Sequence, residues 1–200
     1  MDCPDILKDF SKIPYLFRNF NAKMNTLLLR VRQFVKLAIE FKIPVFGICY
    51  GVQILADAND DEIYESPIKE IGFKNDFNSY RIELAEEGLE NVFFKDINGK
   101  FIILELYSEH LKLNESVSLL GTGEYCQNQI IKLGENSYGF QSHFKLTDEL
   151  LFNILDYAPK LEGHENKIIL IDFEDFENHY IERGKQTFTN YLKMVNIIDQ

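Results

Sequence analysis

Residues 43–58, IPVFGICYGVQILADA, carry the pattern that decides the fold. Pro44 opens a short apolar run, IPVFGI, of the kind found in a strand buried on both faces. A turn at Cys49-Tyr50-Gly51 leads into VQILADA, which reads as a helix, so the stretch is strand, tight turn, helix: half of a βαβ unit. Gly47 lies two positions before Cys49 and Gly51 two after it. Glycines so placed let the backbone pass too close to its neighbours for side chains and hold the residue between them in the strained turn of a nucleophile elbow. The following helix turns its free N–H groups and positive dipole end toward the sulfur, which predicts a lowered thiol pKa. The backbone N–H of Tyr50 is expected to face a developing oxyanion. A buried free cysteine behind a core strand would share most of these surroundings, so the pattern needs a base.

Upstream, Leu27, Leu28, Val31, Phe34, Val35, Ala38 and Ile39 recur at three- and four-residue steps, and the first 40 residues read as a helical lead-in. Downstream, 79–84, 101–106, 116–123, 128–133 and 137–142 are short strand candidates separated by Gly, Asn and Glu-rich turns. Residues 146–158 are amphipathic, with Thr147 as N-cap, and 160–200 read as a helical extension behind an acidic stretch. With no internal repeat and no Pro/Gly/Ser linker, 1–200 is expected to form a single α/β domain.

The formal net charge of −11 disfavours nucleic-acid backbones and anionic membrane surfaces as partners, since both require a positive field. No apolar stretch is long enough to span a membrane, and the N-terminus lacks the pattern of a secretion signal. Cys3, Cys49 and Cys126 are scattered and suit a reducing cytoplasm better than a disulfide framework. No CxxC or HxxxH spacing is present, and Glu174, Asp175, Glu177 and His179 read as a solvated helix face, so no metal is expected. Without a P-loop or G-x-G-x-x-G, no nucleotide is expected in those modes, and no cofactor is called for.

The base candidate is His143, at the end of Tyr138-Gly139-Phe140-Gln141-Ser142-His143, just past a strand candidate. A cysteine–histidine pair supplies a nucleophile and a general acid/base, although a lone histidine after a strand is commonly a structural one. The two segments, IPVFGICYGVQILADA and YGFQSHFKLT, resemble the triad-type class I glutamine amidotransferases, with closest likeness to small stand-alone members similar to the glutaminase domain of GMP synthetase. That resemblance implies an open, mostly parallel sheet flanked by helices, flavodoxin-like in plan. It further implies that Cys49 attacks the side-chain amide of glutamine to form a γ-glutamyl thioester. His143 would protonate the departing ammonia and then activate water, Tyr50, Gly51 and Gly47 would shape the oxyanion and substrate site, and Gln53 would help hold the substrate. The ammonia would pass to a synthetase domain or partner subunit.

Three departures stand out. The family's third catalytic residue is a glutamate two positions after the histidine, and here that position is Lys145, which cannot accept the imidazole hydrogen bond and whose charge opposes an imidazolium. Glu109, Asp148 and Glu149 are the carboxylates that could stand in. The family's W-H-x-D pattern is replaced across Leu106 to Glu109, with Tyr107 for the histidine and Glu109 for the substrate-facing aspartate, while His110 points to the other side. The opening β-α-β portion with its G-G-P loop has no counterpart beyond Pro4, which would leave sheet edge and core surface for a homodimer or partner to cover. Three readings result: a glutamine-hydrolysing enzyme of impaired activity, a catalytically silent relative acting as a binding or regulatory subunit, or a Cys–His hydrolase of another γ-glutamyl or peptide bond.

Overall fold

The computed structural model describes residues 22–75, 78–144, 147–157 and 166–199. Its elements in chain order are α1 (Ala22–Glu40), β1 (Val45–Ile48), α2 (Tyr50–Ala58), β2 (Glu62–Gly72), β3 (Arg81–Leu84), α3 (Glu86–Leu89), β4 (Lys100–Ile102), β5 (Glu105–Lys112), β6 (Val117–Thr122), β7 (Ile130–Leu133), β8 (Ser137–Phe140), α4 (Asp148–Tyr157) and α5 (Asn166–Met194). The strand–turn–helix of residues 45–58 forms as expected. So do β6, β7 and β8 within their expected stretches.

A six-stranded sheet runs in the order β1-β8-β7-β6-β3-β4, and β2 pairs with β5 in a separate two-stranded ribbon. The architecture is α/β, with helices packed on a curled mixed sheet. Its strand directions depart from the expected mostly parallel plan: β1–β8 is the parallel ladder, whereas β8–β7, β7–β6, β6–β3 and β3–β4 are antiparallel. For β6, β7 and β8 the reason is local, because short turns join them and return the chain antiparallel; between β3 and β4 the chain runs through α3 and a short 3-10 helix. The sheet curls far enough for the segment leaving β4 to meet the segment leaving β8, where Leu104 and His143 form an isolated antiparallel bridge.

Three apolar clusters hold these layers together. Inside the curl, Ile82, Phe93, Phe101, Leu120, Ile130 and Phe140 pack with Tyr191 of α5. Ile102 and Leu104 pack with Leu151 of α4 and with Ile169, Phe173 and Tyr180 of α5. On the opposite side Val52 and Leu55 of α2 and Val35 of α1 cover Ile131 and Leu133. The acidic stretch expected to precede a C-terminal helix lies inside the 29-residue α5, whose buried residues Ile169, Phe173, Tyr180, Gly184, Thr187 and Tyr191 form one stripe at helical spacing. Glu174, Asp175 and His179 face solvent from the other side of that helix.

β2 has no counterpart among the expected strands. Pro67 and the charges at Glu62, Glu65, Lys69 and Glu70 hide its alternation, and the pairing with β5 shifts register between Glu65 and Glu70, where a bulge absorbs the irregularity. The expected strand at 101–106 is divided instead: β4 ends at Ile102, and β5 starts at Glu105 in the other sheet.

Two glycines fix where α2 can lie. Gly47 of β1 is directly opposite Gly139 of β8 in the parallel ladder. A Cβ on Gly47 would stand 2.5 Å from the carbonyl oxygen of Gly51, and one on Gly139 would overlap the Val52 side chain. Gly51 differs from expectation, since a Cβ there would meet nothing within 4 Å. Its backbone is the surface that Gly47 approaches, so the steric demand falls on the strand and not on the helix. Gly47→Ala and Gly139→Ala are each expected to cost about 1–3 kcal/mol, the range for overpacking a filled core. Gly51→Ala is expected to be neutral or to stabilise by up to about 1 kcal/mol. Urea denaturation of the three variants checks the contrast.

Candidate active site

Cys49 follows β1 directly and is the N-cap residue of α2, with φ 53° and ψ −111°. Positive φ at a non-glycine residue is strained and typical of functional turns. The strain is held by neighbours: the Cys49 N–H donates to the carbonyl of Phe140 at 2.6 Å, and its own carbonyl accepts from Val52 N at 3.0 Å. The thiol side chain is partly buried. The strained turn between Gly47 and Gly51 is therefore built on a strand bond to β8.

His143 stands three residues beyond Phe140 on the continuation of that same β8. Its backbone is anchored on both sides: His143 N donates to Leu104 O and Leu104 N to His143 O, each at 2.9 Å, while the Tyr180 hydroxyl of α5 donates to His143 O at 3.0 Å. Both chemistry-bearing residues thus leave the C-terminal ends of neighbouring parallel strands, the place where α/β folds carry their sites. Leu104 and Tyr180 went unnoticed in the sequence; nothing in the local pattern distinguishes them from ordinary core residues.

The imidazole is neutral. Burial lowers the pKa of His143 to about 4, and among the described residues no carboxylate bonds to it. Lys145, at the third-member position, lies outside the described residues. Glu149 is exposed on the first turn of α4, and Glu109 is exposed on β5 opposite Glu65. The expected lowering of the Cys49 pKa is reversed. Burial pushes the thiol up to about 12, the charges of Glu105 and Glu109 push in the same direction, and the backbone N–H of Tyr50 works against them. The helix end and the Tyr50 N–H are present, but burial outweighs them and the two acids add to it. The resting pair is thiol and neutral imidazole rather than thiolate and imidazolium.

Glu105 is the residue that sequence reading missed. It is fully buried at the start of β5, one residue from the partner of His143. One carboxylate oxygen accepts from Gln129 Nε2, and the other has no partner. Beside it Glu70 accepts from the Tyr107 hydroxyl and, at 3.3 Å, from Cys126 N; burial raises Glu70 to about 7. Burial together with the charge of Glu70 lifts Glu105 well above the carboxylate range. Tyr107, at the position expected to hold a histidine, therefore faces this acid nest, while His110 is buried against Tyr64 and Tyr107.

Gln53 is buried on α2, and Tyr50 is half-buried, its phenol raised to about 12 by burial and by the charges of Glu109 and Asp57. Both border a cavity of about 400 Å³ that also reaches Glu109. Of the expected site residues, Tyr50, Gln53 and Glu109 line this cavity, whereas Cys49, Gly47, Gly51 and His143 do not. Among the described residues no group of three His, Cys, Asp or Glu could hold a metal ion, and no helix is long and apolar enough to cross a membrane.

The profile of the family described as Glutamine amidotransferase class-I matches residues 28–143. The chain is 27% identical over 126 residues to the glutamine amidotransferase-like protein YfeJ of Salmonella typhimurium, covering 63% of this chain and 50% of that protein. It is 28% identical over 130 residues to gamma-glutamyl peptidase 3 of Arabidopsis thaliana, covering 64% and 51%. The chain spans about half the length of these curated relatives. A glutamine amidotransferase of Thermotoga maritima superposes with a TM-score of 0.73 at 21% identity, over 88% of this chain and 73% of that one, a likeness of fold.

A protonated resting thiol has a measurable consequence. The rate of Cys49 alkylation by iodoacetamide should keep rising with pH through pH 10, because the thiolate fraction grows tenfold per pH unit below the pKa. A plateau by pH 8 would contradict the raised pKa. Glu109→Gln should speed alkylation at fixed pH by removing one of the opposing charges.

Proposed function

Because the chain belongs to the class I glutamine amidotransferase family, we propose that it hydrolyses a glutamine side-chain amide through Cys49 and His143, at a rate reduced by the loss of the third carboxylate. The observation carrying this reading is the strained Cys49, φ 53°, bonded through its N–H to the strand whose continuation bears His143. With a neutral imidazole and a protonated thiol, His143 takes the thiol proton as Cys49 attacks the γ-carbonyl, instead of meeting a preformed thiolate. The Tyr50 N–H stabilises the oxyanion. His143 then gives its proton to the departing nitrogen as the C–N bond breaks, leaving the γ-glutamyl thioester and ammonia. Water, deprotonated by His143, cleaves the thioester to glutamate and the free thiol. Glu109, on the cavity wall with no cation paired to it among the described residues, attracts a substrate cation such as an α-ammonium. The ammonia goes to solvent or to the synthetase partner subunit that the resemblance implies, and the setting is cytoplasmic.

A silent, partner-binding role is the second reading. It is favoured by the thiol raised to about 12 and by Lys145 in place of glutamate. The likeness to a gamma-glutamyl peptidase keeps a larger γ-glutamyl substrate in view.

Intact-mass measurement after incubation with a diazo-ketone analogue of glutamine separates these readings. A single adduct on the folded protein, absent from Cys49→Ala, is expected; its absence from the wild type favours the silent role. Lys145→Glu should raise the glutaminase rate by about 10- to 100-fold, no more than the low end of acid–base assistance, since the carboxylate acts through His143. An unchanged rate would show that the third member is not what limits turnover.

A further inference from the structure

Past Phe140 both ladders of β8 stop, and His143 is held by a different set of bonds. The last paired residues are Ile48 opposite Phe140 on one side and Ile130 opposite Phe140 on the other. Gln141 N then donates to Gln129 O at 2.8 Å, and two residues on His143 exchanges both backbone bonds with Leu104 at 2.9 Å. Leu104 is followed directly by Glu105, whose carboxyl accepts from Gln129 Nε2. The bonds close a ring: His143 to Leu104, along the chain to Glu105, across to Gln129, back to Gln141 and along the chain to His143.

The two side chains in that ring, Glu105 and Gln129, are both fully buried. Among the described residues each makes its one side-chain hydrogen bond to the other, since Glu105 Oε2 and Gln129 Oε1 have no partner. A leucine at position 105 would leave no polar atom dry, so the buried acid costs stability where it stands. What it supplies is a tie between segments of different sheets. Gln129 leads into β7 of the large sheet, Glu105 opens β5 of the ribbon, and His143 lies where the two segments meet.

We propose that Glu105 and Gln129 are positioning residues for His143: their side-chain bond holds Leu104 against the end of β8 and so fixes the direction in which the imidazole leaves the chain. This rests on the reading of His143 as the acid/base of an amide hydrolase. The family's glutamate would act on the imidazole itself, whereas this clasp acts on the main chain that carries it. Glu105 accepts through one oxygen, so a glutamine in its place can make the same bond.

Two measurements on the full chain test this, and the first needs no activity. Glu105→Leu and Gln129→Met should speed hydrogen exchange of the His143 and Leu104 amides by about tenfold or more, with Ile131 and Leu133 of β7 unchanged, as local opening requires. Glu105→Gln should exchange like the wild type. In ammonia release from L-glutamine, the two bond-breaking variants should lower kcat by about 10- to 100-fold with KM within about twofold, the size expected of a misplaced catalytic group. Glu105→Gln should retain kcat, and the double variant Glu105→Gln, Gln129→Glu, which rebuilds the bond with donor and acceptor reversed, should recover both readouts. Gln129→Met keeps the volume nearly unchanged and carries the comparison if Glu105→Leu does not fold. Wild-type exchange at His143 in Gln129→Met overturns the clasp. Faster exchange with unchanged kcat overturns the positioning role and leaves the proposed function standing. Equal losses in Glu105→Gln and Glu105→Leu overturn it as well, because the bond would then not be what matters. A wild type that releases no ammonia overturns the hydrolase reading and the positioning role together.

Discussion

The rest of the structure depends on how closely α2 can approach the strand pair beneath it. Gly47 and Gly139 face each other across β1 and β8, and side chains on either would collide with the helix. That contact sets the height of the helix over the sheet, hence the sharpness of the turn at Cys49 and the direction of the Tyr50 N–H. Native interiors are packed too densely to accommodate an added methyl group without displacement. The geometry of the turn at Cys49 is therefore a packing property of Gly47 and Gly139.

Electrostatics pulls against this arrangement. The helix end and the Tyr50 amide favour a thiolate, whereas burial and two carboxylates oppose it, and burial prevails. Glu105 and Glu70 share a dry nest with Tyr107 and Gln129, a placement that costs stability unless one of the carboxyls keeps its proton. A pair of buried acids next to the nucleophile makes local charge an adjustable quantity. Anything cationic arriving beside Glu109 or Glu105 shifts the thiol equilibrium toward the reactive form.

The legible parts of the chain were those where one local pattern has one physical meaning. The strand–turn–helix at 45–58, the later short strands and the positions of Cys49 and His143 past the ends of β1 and β8 all belong to that class. β2 was hidden because its charges and Pro67 break the alternation, and a bulge carries the irregularity that the pattern could not express. Gly139 was quoted only as part of a motif; its steric role emerges once β8 is known to lie against β1. The thiol's state was misjudged for a related reason. The helix end is encoded within a few residues, but Glu105 comes from a strand far along the chain, and Glu109 from the same strand. Short-range patterns predict the scaffold of the site, whereas long-range contacts decide its charge.

One feature of the sheet bears on how the molecule is assembled. Among the described residues β1 pairs with β8 alone, so the turn at Cys49 finds its supporting ladder nearly a hundred residues later in the chain. The bridge between Leu104 and His143 then closes the curl from the other direction. Contacts of such sequence separation carry a heavy loop-closure cost and are made slowly. The antiparallel strands β6, β7 and β8 can pair through short turns before that happens. A nascent chain would therefore hold a largely formed sheet while Cys49 still lacked its turn, and the reactive centre would be among the last parts of the molecule to exist.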